Sequence, residues 1–331
     1  ADYPDSISHV AVDEFHVDLE GTRWSLAEPI DFSVGTGHFS LADMRLQSDQ
    51  GAMSLNGLYE RDEVVAGSLQ LESFDLALLN PFLDSDHQLA GRMTADVVVG
   101  GEPASPQVNL TADLVQAPFP LADIDSMHVT AGFSEGTVDF QELDLRTNFG
   151  RATGEGTVSA PGAGVEDFWA RSDLDLDLAI VDGDWSFLEQ FALPALDRLA
   201  GRFDGNLRVA GSVTEPLIRG HVHSSPFHIH WLHLDELESE VFVDHESMVL
   251  GDLRGHKEDL AMTGRIEIPL ELDLMSEPVS PLDGPFFMQL DLPAGSNLAP
   301  LSVATNAFVT TSGTGRAQVI VSGPLEHPQY Q

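Results

Sequence analysis

Residues 201–218 read GRFDGNLRVAGSVTEPLI, and versions of this stretch occur three times along the chain. The first, GRMTADVVVGGEPASPQV, begins at Gly91, and the third, GRAQVIVSGPLEHPQ, begins at Gly315. Each opens with Gly-Arg, alternates like a strand up to another glycine, and reaches a proline. The copies start 110 and then 114 residues apart. Such a period predicts stacked units, whose function lies on an extended surface rather than in a pocket.

A second pattern recurs between these copies, at Gly35–Gly57, Ser134–Gly156 and His245–Gly264. Each stretch reads as strand, turn and strand with a closing glycine, and we expect those glycines to serve hairpin turns that need positive φ. The closing glycines are 99 and 108 residues apart, close to the first period. We expect a partial first unit at 1–88, a second at 89–198, a third at 199–312 and the start of another at 313–331, in one continuous elongated body.

The composition excludes several classes of protein. The 331 residues hold 15 basic and 54 acidic side chains, a net charge of −39, so binding to nucleic acid or to an anionic bilayer surface is disfavoured. There is no cysteine, which excludes disulfides and thiolate metal sites. No apolar run reaches the roughly 18 residues of a membrane-spanning helix. We expect any export signal or anchor to lie outside this sequence.

Period-two alternation dominates the chain. In SDLDLDLAIVD the leucines fall on one face and Asp173, Asp175 and Asp177 on the other, and RIEIPLELDL alternates in the same way. This pattern predicts an antiparallel sheet with one dry and one wet face. Helical spacing interrupts it at Phe74–Asp84 and Asp184–Gly201, with a degraded third copy at Ser296–Thr305. The predicted fold is mainly β: an elongated repetitive antiparallel sheet, shaped like a groove, with two short helices.

The order of these elements resembles that of the TamB-like proteins, within the AsmA-like superfamily of Gram-negative envelopes. The resemblance lies in a short leucine-rich helix followed by Leu-x-Gly, an alternating strand, glycine and proline. The opening phrase TRWSLAEPIDF, Thr22 to Phe32, is also similar to that family. The residues that match the repeated phrase are Leu89, Gly91, Gly101 and Pro106, and then Leu199, Gly201, Gly211 and Pro216.

The resemblance implies a long curved sheet, a β-taco, with an apolar concave face. It implies a periplasmic protein, anchored to the inner membrane by a segment outside this sequence, that carries phospholipid between the membranes and supports outer-membrane biogenesis. The implied partners are phospholipid acyl chains and an outer-membrane barrel protein of the BamA/TamA type. No enzymatic activity and no cofactor are expected.

The candidate site is the apolar face itself. A sheet with one apolar face must cover it, and two short helices cannot cover so long a sheet. Acyl chains that bury there gain about 0.8 kcal/mol per CH₂. The candidate groove-lining residues are Met93, Val97, Val99, Leu174, Leu176, Leu178, Phe203, Leu207, Val209, Ile268, Leu270, Leu272, Val319 and Val321.

Other readings remain open. A structural, adhesin-like β-repeat with a closed dry core and a carbohydrate-active β-helix are the alternative functions. In HVHSSPFHIHWLH, a turn at Ser224–Phe227 would bring two His-x-His pairs together, which makes weak zinc candidates of His221, His223, His228 and His230. A solvent-facing histidine face is the simpler interpretation, and pH sensing is a third. The arginines Arg92, Arg202 and Arg316 are expected to neutralise acidic neighbours rather than to bind lipid phosphate.

Overall fold

Strands dominate the chain in a computed structural model that describes residues 7–19, 21–82, 89–119, 122–162, 167–187, 199–229, 232–272, 274, 279–281, 284–299, 312–323 and 329–330. The paired strands are antiparallel, so the predicted mainly β antiparallel fold is confirmed. The chain divides into two compact units, Ala1–Asn148 (unit 1) and Phe149–Gln331 (unit 2).

Unit 1 contains eleven described strands and one 3₁₀ helix, η1, at Leu76–Phe82. Each strand from β4 to β10 pairs with the strand that follows it in the chain. β1 pairs with β4, and β3 of the β2–β3 hairpin pairs with β5. The strands are β1 Ser8–Val12, β2 His16–Leu19, β3 Thr22–Leu26, β4 Ile30–Gly35, β5 His38–Ser48, β6 Gly51–Glu60, β7 Val64–Asp75, β8 Arg92–Glu102, β9 Ser105–Phe119, β10 Ala122–Ser134 and β11 Thr137–Thr147.

Unit 2 contains twelve described strands and a short 3₁₀ helix, η2, at Trp169–Arg171. β15 pairs first with β17 and, past Ser224, with β16; β19 pairs with both β21 and β20. The strands are β12 Gly150–Ser159, β13 Asp173–Asp184, β14 Ala200–Ser212, β15 Pro216–Ile229, β16 Leu232–Leu234, β17 Glu236–Val243, β18 Ser247–Lys257, β19 Leu260–Leu272, β20 Val279–Pro281, β21 Phe286–Asn297, β22 Thr314–Gly323 and β23 Gln329–Tyr330.

The strand register shows that the third repeat copy starts at a different residue from the one that the sequence indicated. Asp75 pairs with Arg92 in the first copy and Asp184 with Arg202 in the second, whereas Asn297 pairs with Thr314 in the third. The third copy therefore starts at Gly313, not at Gly315. The spacing from Gly313 to Pro328 is then 15 residues, as from Gly91 to Pro106 and from Gly201 to Pro216. Arg316 is consequently not the counterpart of Arg92 and Arg202.

The backbone angles support this alignment. Gly91, Gly201 and Gly313 have φ of 104°, 129° and 98°, and the glycines ten residues later have φ of 106°, 90° and 111°. Both positions therefore lie in a region that side chains with a Cβ rarely adopt. Gly315 is not among the positive-φ glycines.

The prediction that the closing glycines of the second pattern form turns is wrong. Gly57, Gly156 and Gly264 lie inside β6, β12 and β19 and pair with residues of the next strand. A Cβ on Gly264 would collide with the Gln289 carbonyl, so this glycine allows close backbone approach instead. The hairpin turns are formed nearer the start of the pattern, at Gly37 and Gly136.

The predicted helix at Phe74–Asp84 is shorter than expected and of a different type. Phe74 and Asp75 end β7, and a 3₁₀ helix follows at Leu76–Phe82; the last predicted positions lie outside the described residues. Pro81 lies inside this helix, where it lacks a backbone N–H to donate. In the second segment, Asp184 ends β13 and Trp185–Phe187 form a 3₁₀ turn, while 188–198 lie outside the described residues. In the third, Ser296 and Asn297 end β21, and 300–305 are likewise outside them.

Candidate functional site

Unit 1 carries four rows of mostly apolar side chains on one face of its sheet. Cross-strand partners share a face, so Val97 on β8 lies between Leu69 on β7 and Leu110 on β9. The rows are Leu41–Gly57–Gly67–Val99–Val108–Phe133–Val138, Met44–Leu55–Leu69–Val97–Leu110–Ala131–Phe140, Leu46–Met53–Leu71–Ala95–Ala112–Val129–Leu143 and Phe74–Met93–Leu114–Met127–Leu145.

Burial decreases across these rows. In the row that contains Ala95, five of the seven side chains are buried, and Trp24, Phe74 and Leu78 belong to the same buried cluster. Val97 and Val99, in the two rows farther from that cluster, are only half-buried. The apolar face of unit 1 is therefore covered at its Trp24 side and accessible to solvent at its Val99 side.

Unit 2 carries equivalent rows, but much of its apolar face is closed. Leu237 and Leu260 are 0% exposed, and Ile266 and Ile268 are 1% exposed. The described strands β12 to β22 form one layer, and burial this complete on its apolar face is expected where such a layer curls over that face. Two of the rows are Gly154–Leu178–Leu207–Gly220–Val241–Leu250–Ile266–Met288–Val321 and Gly156–Leu176–Val209–Ile218–Val243–Met248–Ile268.

One backbone hydrogen bond of unit 2 joins distant strands, and a second extends the ladder between the neighbouring strands β13 and β14. The N–H of Leu274 donates to the Val213 carbonyl at 3.0 Å, and the N–H of Val213 donates to the Ser172 carbonyl at 3.2 Å. Val213 lies in the β14–β15 turn, whereas Leu274 follows β19, three strand positions farther along the sheet. In a flat sheet those positions would be about 14 Å apart. This Ser172–Val213–Leu274 bridge therefore holds the curled part of the sheet together.

A cavity of about 610 Å³ remains around the less buried rows of unit 2. Leu178 and Leu207 are cross-strand partners that both line it. The Leu178 Cδ2 occupies the space that a Cβ at Gly154 would need, and the Leu207 Cδ2 does the same over Gly220. The two leucines thus lean away from each other onto glycines, which leaves room between them.

The predicted groove residues fall into two groups by burial. Half-buried are Met93, Val97 and Val99 in unit 1 and Leu176, Leu178, Leu207 and Val319 in unit 2. Phe203, Val209, Leu174 and Val321 are buried, and so are Ile268, Leu270 and Leu272. Register places Val97 and Val99 in adjacent rows, and it joins Leu178 to Leu207 and Leu176 to Val209. Ile268, Leu270, Leu272 and Val321 line the closed part of unit 2.

The histidine segment does not form the predicted hairpin. Ser224–Phe227 continues β15 instead of turning, so His221, His223 and His228 lie on a single strand. His221 and His223 are exposed on the face opposite Val222, across from Glu240 and Glu238. His230 lies outside the described residues. His228 instead faces His233 on β16, with ring centroids 4.7 Å apart.

The polar face of the sheet carries the ion pairs. Arg202 lies 3.7 Å from Asp184 and donates to the Asp182 carbonyl at 3.0 Å, and Arg208 pairs with Asp175 at 2.8 Å. The interpretation of Arg202 as a neutraliser of acidic neighbours is consistent with these contacts. Such exposed pairs contribute little to stability, typically about 0–1 kcal/mol each.

The groups with shifted pKa lie away from the apolar rows. A hydrogen bond with Asp113 raises the pKa of His128. Burial tends to raise the pKa of Asp184, but hydrogen bonds from Ser186 and the charge of Arg202 outweigh it and lower that pKa. Hydrogen bonds from the Glu258 backbone and from Lys257 lower the pKa of Asp235. These shifts follow from structural contacts on the polar face and at strand ends.

Sequence reasoning missed a geometry that the repeats share, an Asx turn at the end of the strand before each Gly-containing copy. The Oδ1 atoms of Asp75, Asp184 and Asn297 accept the backbone N–H of the residue two positions later, at 2.9, 2.9 and 3.1 Å. The three residues are 109 and 113 residues apart, which matches the repeat period. An Asp or Asn at this spacing was the available signal.

Trp24 lies in the opening phrase TRWSLAEPIDF, but the sequence does not indicate the environment of its side chain. Its side chain is 2% exposed, and its ring lies 5.6 Å from that of Phe74. Its Nε1 is the one buried side-chain nitrogen or oxygen without a hydrogen-bond partner in the described part of the chain. No pattern in the sequence signals an unpaired donor, because pairing depends on tertiary neighbours.

Two features are absent from the part of the chain that the structure describes. No three histidine or acidic side chains cluster closely enough to hold a metal ion. No helix there has the length and apolar character needed to cross a bilayer.

Comparison with known proteins adds one finding. The family model described as TamB, N-terminal domain, matches residues 9–223. This match spans all of the described strands of unit 1 from β2 onward and the first strands of unit 2. No curated protein and no solved structure has a significant match to the chain.

Proposed function

The chain belongs to the TamB N-terminal-domain family, and we propose that it is a non-enzymatic segment that carries phospholipid along a hydrophobic groove. Membership in this family implies a role in the translocation and assembly module of outer-membrane proteins. The finer proposal adds the cargo, phospholipid acyl chains, and the place, the periplasm of a Gram-negative cell. It also adds an inner-membrane anchor outside this sequence and an outer-membrane partner of the BamA/TamA type.

The half-buried apolar rows of unit 1 carry the proposal. Val97 and Val99 lie in two adjacent rows that continue across strands from β5 to β11. Large, contiguous apolar surface that stays accessible is uncommon on a protein that has no apolar ligand or partner. An acyl chain laid along these rows would gain about 0.8 kcal/mol for each buried CH₂. Rows of similar side chains would let the chain shift along them.

Site-specific photo-crosslinking tests the proposal. A photoreactive amino acid at Val97 should crosslink phospholipid in cells, and lipid should co-purify with the protein and be detected by mass spectrometry. Val98 is the matched control, because it is 46% exposed on the opposite face of the same strand. Equal yields at the two positions, or no lipid at either, would contradict the groove.

A structural β-repeat with a closed core is the second candidate function, and the 0–1% exposure of Leu237, Leu260 and Ile266 in unit 2 favours it. A closed core would leave no crosslink at Leu178 or Leu207, the residues beside the cavity in unit 2. Crosslinks at Val97 without any at Leu207 would restrict lipid to unit 1.

A further inference from the structure

We propose that unit 1 contains a discrete docking site for one phospholipid, in which Trp24 Nε1–H donates to an acyl ester carbonyl. This inference rests on the lipid-carrying function proposed above and adds a fixed position and a polar contact. The tail lies on the apolar rows that include Leu69 and Val97, and the head group lies in the cavity beside η1.

The unpaired indole N–H is the first observation. Trp24 is buried at 2% exposure, and its N–H finds no acceptor among the described residues. A buried donor without a partner loses its hydration and gains nothing in return, so proteins rarely retain one. An acceptor that arrives with a ligand removes this penalty.

Trp185 in unit 2 is a second buried tryptophan, and its indole N–H has a hydrogen-bond partner. Trp185 is 4% exposed and packs against Phe203, with ring centroids 4.2 Å apart. Its Nε1 donates to the Ser224 hydroxyl at 2.9 Å, and that serine is itself fully buried. The described residues thus supply a dedicated acceptor for one buried indole and none for the other.

The surroundings of Trp24 fit the tail of a lipid. Trp24 belongs to one apolar cluster with Phe74 and Leu78, and Leu69 and Leu110 pack against that cluster. Leu69 and Leu110 flank Val97 in its row, where the side chains become half-buried. A continuous apolar path therefore leads from the buried indole to the accessible face.

A cavity of about 600 Å³ adjoins the same cluster on its polar side. Leu78 lines it and belongs to the Trp24 cluster, and Thr22 and Gln50 line it with polar side chains, whereas the Asn80 amide is already paired with the Leu89 backbone. This volume lies within the usual range of small-ligand sites, about 300–1,000 Å³. Polar and apolar walls side by side match the junction between a head group and its chains.

The charges near the cavity select among acceptors. Asp75 is the charged residue in its lining, and no arginine, lysine or histidine lines it among the described residues. A fatty-acid carboxylate would meet this like charge without a counter-ion. The ester carbonyl is uncharged, and the ammonium of a zwitterionic head group offsets its phosphate and can face Asp75, so the site is assigned to a zwitterionic glycerophospholipid rather than to a free fatty acid.

Brominated lipid tests the assignment, because bromine quenches tryptophan fluorescence at contact distance. The probe is phosphatidylethanolamine in detergent micelles, with bromine at carbons 6 and 7 or at carbons 11 and 12 of one acyl chain. Subtracting the Trp24→Phe signal from that of the unmodified chain isolates residue 24 from the other three tryptophans. We expect stronger quenching of this component by the 6,7-bromo lipid, since its bromines lie nearer the ester.

Two variants separate a ligand contact from a structural one. Trp24→Phe should lower phospholipid affinity about three- to tenfold, the usual effect of one hydrogen bond, and should lower the melting temperature only as far as the void that it leaves requires. Trp185→Phe should lower the melting temperature and leave affinity unchanged. If Trp24→Phe folds poorly, benzothienylalanine at position 24 keeps the shape of the indole and removes only its N–H.

The outcomes distinguish this site from the wider function. Lipid that crosslinks at Val97 but binds Trp24→Phe and the benzothienyl variant with unchanged affinity would overturn the docking site and leave the groove intact. Tighter binding of oleate than of phosphatidylethanolamine would overturn the ester assignment. If no lipid crosslinks at Val97 and none quenches, both proposals fail.

Discussion

At the scale of single residues, positions with the same side chain and the same local pattern have different environments. Leu176 and Leu270 both belong to alternating stretches of the sequence, yet Leu176 is half-buried whereas Leu270 is 5% exposed. The alternation assigns each leucine to a face of the sheet. Curling of that sheet decides how much solvent reaches it.

Charged substitutions at these two positions should have unequal effects on stability. Leu270→Asp places a carboxylate in a packed interior, where it also leaves a void, and we expect a loss of several kcal/mol. Leu176→Asp should cost less than half as much, because solvent already reaches the site, and it should reduce lipid binding. Urea unfolding measures both. Equal losses of stability would show that Leu176 is packed as tightly as Leu270.

His233 should make stability depend on pH. Burial lowers its pKa from 6.5, helped by the nearby His228 and Lys257. The unfolded chain therefore binds a proton more readily than the folded one, so this stability is present above pH 6.5 and is lost as pH falls through the lower folded pKa. His233→Gln should reduce the fall of the urea midpoint that occurs as the pH drops below 6.5. His221→Gln, at an exposed position, is the control, and an equal reduction there would contradict the assignment to His233.

At the scale of elements, the repeat copies share defined backbone features. A register shift follows Leu71, Ile180 and Leu292 on the strand before each Gly-containing copy, and an Asx turn comes after each shift. A bulge combined with a turn redirects the chain at the same point in every unit. The copies are therefore equivalent in hydrogen bonding as well as in hydrophobic pattern.

The Ser172–Val213–Leu274 bridge should control access to the interior of unit 2. Leu274→Pro removes the N–H that donates to Val213, whereas Leu274→Ala keeps it and changes only a side chain that is 46% exposed. A single cysteine at Val243, buried at 8%, reports access, since the chain has no cysteine of its own. We expect Leu274→Pro to speed maleimide labelling up to about tenfold, as for one lost hydrogen bond.

The Leu274→Ala variant should be labelled at the same rate as the protein that carries only the cysteine at position 243. Equal rates in the proline and alanine variants would show that the backbone hydrogen bond does not hold the curled sheet closed.

At the scale of the whole molecule, charge is the dominant property. A net charge of −39 on 331 residues places like charges close together on the polar face, as at Asp173, Asp175 and Asp177. Mutual repulsion of this kind destabilises a folded chain, and salt screens it. The acidity also explains the scarcity of cations near the proposed lipid site.

Salt should therefore stabilise the protein. We expect the melting temperature at pH 7.5 to rise as sodium chloride goes from about 0.05 M to about 1 M, over which the Debye length falls to about 3 Å. The rise should be smaller at pH 5, nearer the isoelectric point of about 4.2. Choline chloride at the same ionic strength should raise the melting temperature by a similar amount. A melting temperature that is insensitive to both salts would contradict net repulsion.

The sequence by itself determined the strand content, the spacing between the first two repeat copies and the face of the sheet on which Val97, Leu207 and Val319 lie. These properties follow from local alternation and spacing, which a strand expresses wherever it packs. The tertiary structure decided the third repeat's start at Gly313, because strand register depends on hydrogen bonds to a neighbour. It also decided that β15 continues through the histidine segment. The closure of unit 2 and the lack of a partner for the Trp24 N–H among the described residues also depend on the tertiary structure, because burial depends on residues far apart in the chain.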